Sequence, residues 1–220
     1  EPVLQFNGQD FSGFYTYLKD SAYEDPKKVF TVVDGMIRIS GEEWGGIITN
    51  DEYENYHLII QWRWGPKTFA PRIDRARDSG ILLHCVGKDG NAGSGWMESI
   101  ECQIIEGGCG DFIMVGGAGR PSLTCVVREG EDKQFYFDPV NGSPVTRNSG
   151  RFNWWGRDPH WKDVINVRGP RDVESPVGEW NTMEVICDGD TIINLVNGYV
   201  VNVGTDASLT RGKILLQSEG

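Results

Sequence analysis

The sequence predicts an all-β chain folded as a two-sheet antiparallel sandwich. Three observations carry that reading. Apolar residues alternate with period two or fill short runs, and helical periodicity is nearly absent over the 220 residues. Turn chemistry recurs between the runs. Asp34-Gly35 splits two short runs, and Asp188-Gly189 and Asn197-Gly198 each stand where a two-residue hairpin turn requires positive φ. The 29 Gly and 8 Trp suit many turns around a broad core. No repeat and no low-complexity linker divides the chain, so a single domain over 1–220 is expected.

The elements follow in order. Val29 to Ile39 holds two short strands split by Asp34-Gly35, and Ile47-Ile48-Thr49 follows Gly45-Gly46. From Tyr56 to Trp64 the alternation puts Leu58, Ile60, Trp62 and Trp64 on one face, for burial between the sheets. His57, Ile59, Gln61 and Arg63 take the other face. Ser79 to Val86 is a strand bearing His84, and Asp78 either shapes its start or faces a cleft. Trp96 to Glu106 is the most informative segment. Glu101, Gln103 and Ile105 share one face, and Glu98, Ile100, Cys102, Ile104 and Glu106 share the other. A mid-strand carboxylate is costly unless it is paired or solvated in a cleft. The Glu101 face therefore reads as a working surface or as an ordinary solvated side. Ile113 to Val115 and Leu123 to Val127 follow. Asn181 to Cys187, Thr191 to Val196 and Tyr199 to Val203 form a meander, and Lys213 to Gln217 is the last strand.

Two stretches read as long and irregular. Gly65 to Asp78 carries Arg72, Arg75 and Arg77, and Glu129 to Pro176 carries Trp154, Trp155, His160 and Trp161. Long ordered loops often carry function. The second is expected to cover one end of the Glu101 face and bring Trp154, Trp155 or His160 to its rim. Alternatively its Trp residues build only the core of the loop.

A net charge of −11 with no basic block argues against a nucleic-acid partner, and none is expected. No apolar run reaches the ~20 residues of a membrane span, and no signal-peptide pattern is present. The chain opens at Glu1 and is expected to be a mature or trimmed form. Of Cys85, Cys102, Cys109, Cys125 and Cys187, four lie in apolar runs and none forms a CxxC pair, which argues against zinc. The odd count leaves at least one thiol unpaired in a monomer.

Six segments in order resemble a known family. They are FNGQDFSGFYTYL from Phe6, FTVVDGMIRISG from Phe30, YENYHLIIQWRW from Tyr53, RDSGILLHC from Arg77, ESIECQIIEGGCGDF from Glu98 and GEWNTMEVICDGDTIINLVNGYVVN from Gly178. Together they resemble the 3-keto-disaccharide hydrolase domain, common in secreted proteins of Bacteroides-like and planctomycete bacteria. The resemblance implies a concanavalin A-like jelly roll and cleavage of glycosides whose sugar is a ketone at C3. It also implies an extracytoplasmic place: periplasmic, secreted or surface-anchored. Family members usually run on through a short strand beyond LLQSEG, so this chain is expected to lack its last C-terminal strand.

The chemistry so implied needs three groups. The C3 ketone acidifies the C2 proton. A base removes it, the aglycone leaves C1 by elimination, and water adds back. The site needs that base, an electrophile for the enolate oxygen and an acid for the leaving oxygen. Glu101 and His84 are candidates for base or acid, and Arg63 for electrophile. Gln103, Glu106, His160, Lys162, Trp154 and Trp155 are candidates to bind the sugar. A divalent metal held by carboxylates and His could replace or assist Arg63. Each has a plain alternative. Arg63 could neutralise Glu101, His84 could be a satisfied core histidine, and Glu106 could end a strand before Gly107-Gly108. Two other functions stay open. A retaining glucanase of the laminarinase type would use Glu101 and Glu106, brought to one face by a bulge. A non-catalytic carbohydrate-binding module would need aromatic platforms but no poised carboxylate.

Overall fold

The computed structural model describes residues 2–116 and 121–220. Among these residues there are strands and no helix. In chain order they are β1 (Phe14–Leu18), β2 (Phe30–Val33), β3 (Met36–Ile39), β4 (Gly45–Thr49), β5 (Tyr56–Trp62), β6 (Asp78–Val86), β7 (Glu98–Ile105) and β8 (Phe112–Val115). Then come β9 (Leu123–Glu129), β10 (Phe135–Phe137), β11 (Ser143–Arg147), β12 (Gly150–Phe152), β13 (Asn181–Asp188), β14 (Thr191–Val196), β15 (Tyr199–Thr205) and β16 (Lys213–Ser218). One sheet has the order β1-β4-β16-β6-β7-β8-β12. The other has the order β10-β9-β15-β14-β13-β5, with β11 also on β9, and β2–β3 is a separate hairpin. Pairings in all three are antiparallel.

The core lies between the two large sheets. Ile81, Leu83, Ile100, Cys102, Ile104 and Phe112 from the first meet Leu123, Cys125, Met183, Val185, Ile192 and Val201 from the second. Leu58, Ile60, Trp62 and Trp64 pack against this cluster, as their alternation requires. The five cysteines are buried free thiols, most of them in this apolar interior.

Turn geometry follows the sequence with one shift. Val196 pairs with Tyr199 across Asn197-Gly198, whose φ values are 49° and 82°. At the preceding hairpin Asp188 itself pairs with Thr191. The two-residue turn there is Gly189-Asp190, one residue beyond the expected Asp188-Gly189. Gly189 carries the positive φ at its first position, as glycine does in a type II′ turn.

The segment from Glu129 to Pro176 is less irregular than expected. Its first part supplies β10 and β11 to one sheet and β12 to the other. These strands are short, and β11 carries Pro144 at a sheet edge, where a missing N–H is tolerated. Their alternation is too brief to show in the sequence.

A candidate active site on the outer face of the first sheet

β7 divides its side chains as its period demands. Ile100, Cys102 and Ile104 enter the intersheet core, while Glu101, Gln103 and Ile105 line a cleft of about 440 Å³ on the other side of the sheet. Asp78 from β6, Gln217 from β16 and Glu219 just beyond it share that cleft. Arg72, Arg151, Trp96, Trp161 and Asp163 close its walls. Four carboxyl groups and two guanidinium groups thus meet on one partly covered surface.

Glu101 is 3% exposed, and its Oε1 has no hydrogen-bond partner among the described residues. Burial pushes its pKa up to about 8, and the charge of Asp78 adds to the rise, against the pull of Arg151. Burial likewise raises Asp78, against Arg72, and raises Glu219, where Asp78 and Glu101 add to it. Asp78 Oδ2 is 3.2 Å from Arg72 Nη2, and its Oδ1 is unpartnered. Among the described residues, Gln217 Oε1 is a third buried acceptor without a donor, and Arg72 Nε a buried donor without an acceptor. Buried polar groups normally find partners. A polyhydroxylated ligand supplies both kinds.

The walls are held by ion pairs. Arg72 binds Asp163 Oδ1 at 2.9 Å and the Ala76 carbonyl at 2.9 Å. Arg151 binds Asp111 Oδ2 at 3.1 Å, which also takes Arg157 at 3.0 Å. The segment that carries Trp161 and Asp163 is pinned to the turn after β7. Trp161 Nε1 donates to the Glu106 carbonyl at 2.9 Å, and Trp154 Nε1 to the Gly107 carbonyl at 3.0 Å. A Cβ on Gly108 would overlap Arg157 Nη1, so the glycine turn lets this segment approach.

Several expected site residues are placed elsewhere. His84 is fully buried on the core side, with Nδ1–H donating to the Leu209 carbonyl at 2.9 Å and its ring edge-on to Tyr56 at 5.4 Å. A β-bulge explains the displacement. Between Leu83 and Val86, β6 carries one residue more than β7, and His84 takes a φ of 53°. The parity that would have placed His84 beside Leu82 is therefore broken. Burial lowers its pKa and keeps it neutral. Arg63 follows β5, the edge of the second sheet, and is exposed with its guanidinium 5.0 Å from the Trp180 ring centroid. Of the candidates Glu101, Gln103, His84 and Arg63, only Glu101 and Gln103 line the cleft.

Glu106 is fully buried but spent on structure. Its Oε1 is 2.7 Å from Arg77 Nη1, and its Oε2 accepts from the Arg77 amide at 2.9 Å and the Asn166 amide at 3.3 Å. Trp154 is in the core, and Trp155 donates to the Val200 carbonyl at 2.9 Å, packed edge-on to Trp154. His160 and Lys162 are exposed and do not line the cleft. The aromatic that reaches the cleft from this segment is Trp161 between them. Gln103 lines it, with Oε1 accepting from the Ile104 amide at 2.9 Å.

Sequence reasoning missed Arg72, Arg151, Gln217 and Glu219. Gln217 was legible in principle. It shares the outward parity of Lys213 and Leu215 on β16, and β16 abuts β6. The two arginines are not, since their approach depends on loop paths. Among the described residues, no group of three or more His, Cys, Asp or Glu side chains is placed to hold a metal ion.

The sequence model of the 3-keto-alpha-glucoside-1,2-lyase-like domain matches residues 1–220. No curated protein sequence matches the chain. Among solved structures it is similar to one from Parabacteroides distasonis ATCC 8503, provisionally described as a glycosyl hydrolase. That match has a TM-score of 0.52 and 18% identity, covering 99% of this chain and 87% of the other. A second structure from the same organism, described the same way, matches with a TM-score of 0.50 and 20% identity, over 94% and 91% of the two chains. These likenesses bear on the fold alone.

Proposed function

Because the chain belongs to the 3-keto-alpha-glucoside-1,2-lyase-like domain family, and is on that ground a carbohydrate-acting enzyme, we propose that its Glu101 cleft cleaves 3-keto-glycosides, 3-keto-disaccharides foremost. The observation that carries this reading is Glu101 itself. It is a buried carboxyl with an open oxygen and a pKa near 8, in a cleft that also holds carboxylates and fixed cations. Burial raises both Glu101 and Asp78, but Asp78 is paired with Arg72, so Asp78 ionises first and Glu101 keeps its proton, the division that acid–base work needs.

The reaction assigns each group a task. A carboxylate, best Asp78 through its unpartnered Oδ1, takes the proton from C2. The C2–H electron pair becomes the enolate, with its charge on the C3 oxygen. Arg72 and Arg151, held in place by Asp163 and Asp111, offset that charge without having to reorganise. The enolate then expels the aglycone oxygen from C1, and Glu101, protonated below about pH 8, gives it a proton. Water adding to the resulting enone yields the free keto sugar. Gln103 and Gln217 hold hydroxyls. The same reading places the protein outside the bacterial cytoplasm.

The two other functions fare worse against the geometry. Retaining glucanase chemistry needs a second carboxyl roughly 5 Å from the first, and Glu106 is bound to Arg77 off the cleft. A binding module has no use for a carboxyl kept protonated by burial. The test is direct. 3-Keto-trehalose or 3-keto-sucrose should be turned over and the unoxidised sugars should not. Equal hydrolysis of unoxidised β-glucan would sink the keto-sugar reading.

A further inference from the structure

A second depression, of about 450 Å³, lies on the same outer face, lined by Tyr15, Tyr17, Tyr23, Asp89 and Lys213 among others. The strand registers place it. Tyr15 pairs with Ile48, Ile48 with Leu215, Leu215 with Leu82, and Leu82 with Glu101. Four strand spacings of ~4.8 Å put Tyr15 about 19 Å from Glu101. Ala92 and Trp96 pack on the apolar patch of Ile48, Leu82 and Leu215 between them. The depression is therefore on the working face but apart from the cleft.

Its side chains form a clasp. Tyr15 donates to Asp89 Oδ1 at 2.7 Å and Tyr23 donates to Asp89 Oδ2 at 2.8 Å. Lys213 Nζ donates to the Tyr15 hydroxyl at 3.0 Å and lies 4.6 Å from that ring's centroid. Tyr17 and Tyr23 meet edge to face at 5.1 Å. Tyr23 is tethered at its hydroxyl yet 63% exposed. Rings fixed in advance lose little entropy on binding. An exposed, fixed aromatic ring beside a carboxylate and an ammonium group has the make-up of a sugar platform. The C–H face of a pyranose stacks on the ring, its hydroxyls donate to Asp89, and they accept from Lys213. Lys88 lines the depression as well, so its charged groups are Asp89, Lys88 and Lys213.

We propose that this depression is a second, non-catalytic sugar site that holds a pyranose unit of a glycan. It rests on the carbohydrate reading of the chain but not on keto-sugar cleavage. The test is binding, read by NMR shifts and calorimetry, with maltotetraose, cellotetraose and laminaritetraose as probes. At least one should move the ring signals of Tyr15 and Tyr23. Tyr23→Ala should weaken that binding about tenfold or more, and Glu101→Gln should leave it within about twofold. The proposal is overturned if no tetraose moves those signals, or if Glu101→Gln abolishes the binding, which would place the glycan in the cleft. The wild-type shifts decide the matter even if Tyr23→Ala fails to fold. Failure of keto-sugar turnover would leave this result untouched.

Discussion

Glu101 lies over Gly80. The two stand on neighbouring strands, and a Cβ on Gly80 would overlap Glu101 Oε1 and crowd Gln217 Oε1. Among the described residues neither oxygen has a donor. A protonated Glu101 supplies the missing donor, which agrees with its raised pKa of about 8. The carboxyl, the glycine and the amide thus form one unit spanning β7, β6 and β16.

Gly80→Ala should therefore disturb chemistry more than folding. Its φ is not in the left-handed region, so alanine is compatible with the backbone. The added methyl should push the Glu101 carboxyl aside, at a cost of about 1–3 kcal/mol for overpacking. Turnover of a 3-keto disaccharide should fall about tenfold or more. Steady-state kinetics beside thermal melting would check this. A variant with a lowered Tm and wild-type turnover would show that the carboxyl's position is immaterial.

The pH dependence of stability follows from the same carboxyl. The folded pKa of Glu101 is raised from 4.5 to about 8, so the folded state holds its proton more tightly than the unfolded chain. Its favourable contribution is complete below about pH 4.5 and is lost as pH rises toward 8. Glu101→Gln cannot ionise and escapes this loss. The Tm of the variant relative to wild type should rise between about pH 4.5 and 8, then level off. Parallel Tm curves across that window would contradict the raised pKa.

Glu106 is predicted to matter for stability first. Glu106→Ala leaves Arg77 buried without its partner, which should cost about 3–5 kcal/mol. Replacing both residues with methionine should cost clearly less than the single change, because no unpaired charge remains. Urea unfolding of the single and double variants measures this. If Glu106→Ala keeps stability but loses turnover, Glu106 is catalytic after all and the glucanase reading revives.

What could be read from sequence was what depends on period two. The split of β7 into Ile100, Cys102 and Ile104 against Glu101 and Gln103 follows from alternation alone. So does the burial of Leu58, Ile60 and Trp62. His84 was misplaced because one extra residue in β6 inverts the alternation, and a bulge has no reliable signature in a single strand. Arg63 was misplaced for another reason. Parity fixes a face, but β5 belongs to the second sheet, and sheet membership is set by long-range pairing. Trp161, not its neighbours His160 and Lys162, reaches the cleft through its bond to the Glu106 carbonyl, a contact no local pattern reveals.

Two arginines should separate cleanly in activity. Arg63→Ala removes an exposed contact with Trp180 on the far sheet, about 0.5–1 kcal/mol of stability, and should leave kcat/KM within about twofold. Arg151→Gln removes a fixed cation from the cleft and should lower kcat by about tenfold or more, while Arg157 still pairs Asp111. Assays of both variants on one 3-keto disaccharide would decide. The reverse order of effects would return the site to Arg63.

Glu101→Gln is the sharpest test of the chemistry. The change keeps volume and removes the proton given to the leaving oxygen, so the fold should persist. Turnover of a 3-keto disaccharide with a poor, alcohol-type leaving group should drop about 100-fold or more. A substrate with a nitrophenol aglycone leaves without a proton, so on it the loss should be much smaller. If Glu101 were instead the C2 base, both substrates would suffer alike, since proton removal precedes departure in each. The ratio of the two losses therefore tells acid from base. Equal losses on both substrates would give Glu101 the base's task and move the acid's to Asp78 or Glu219.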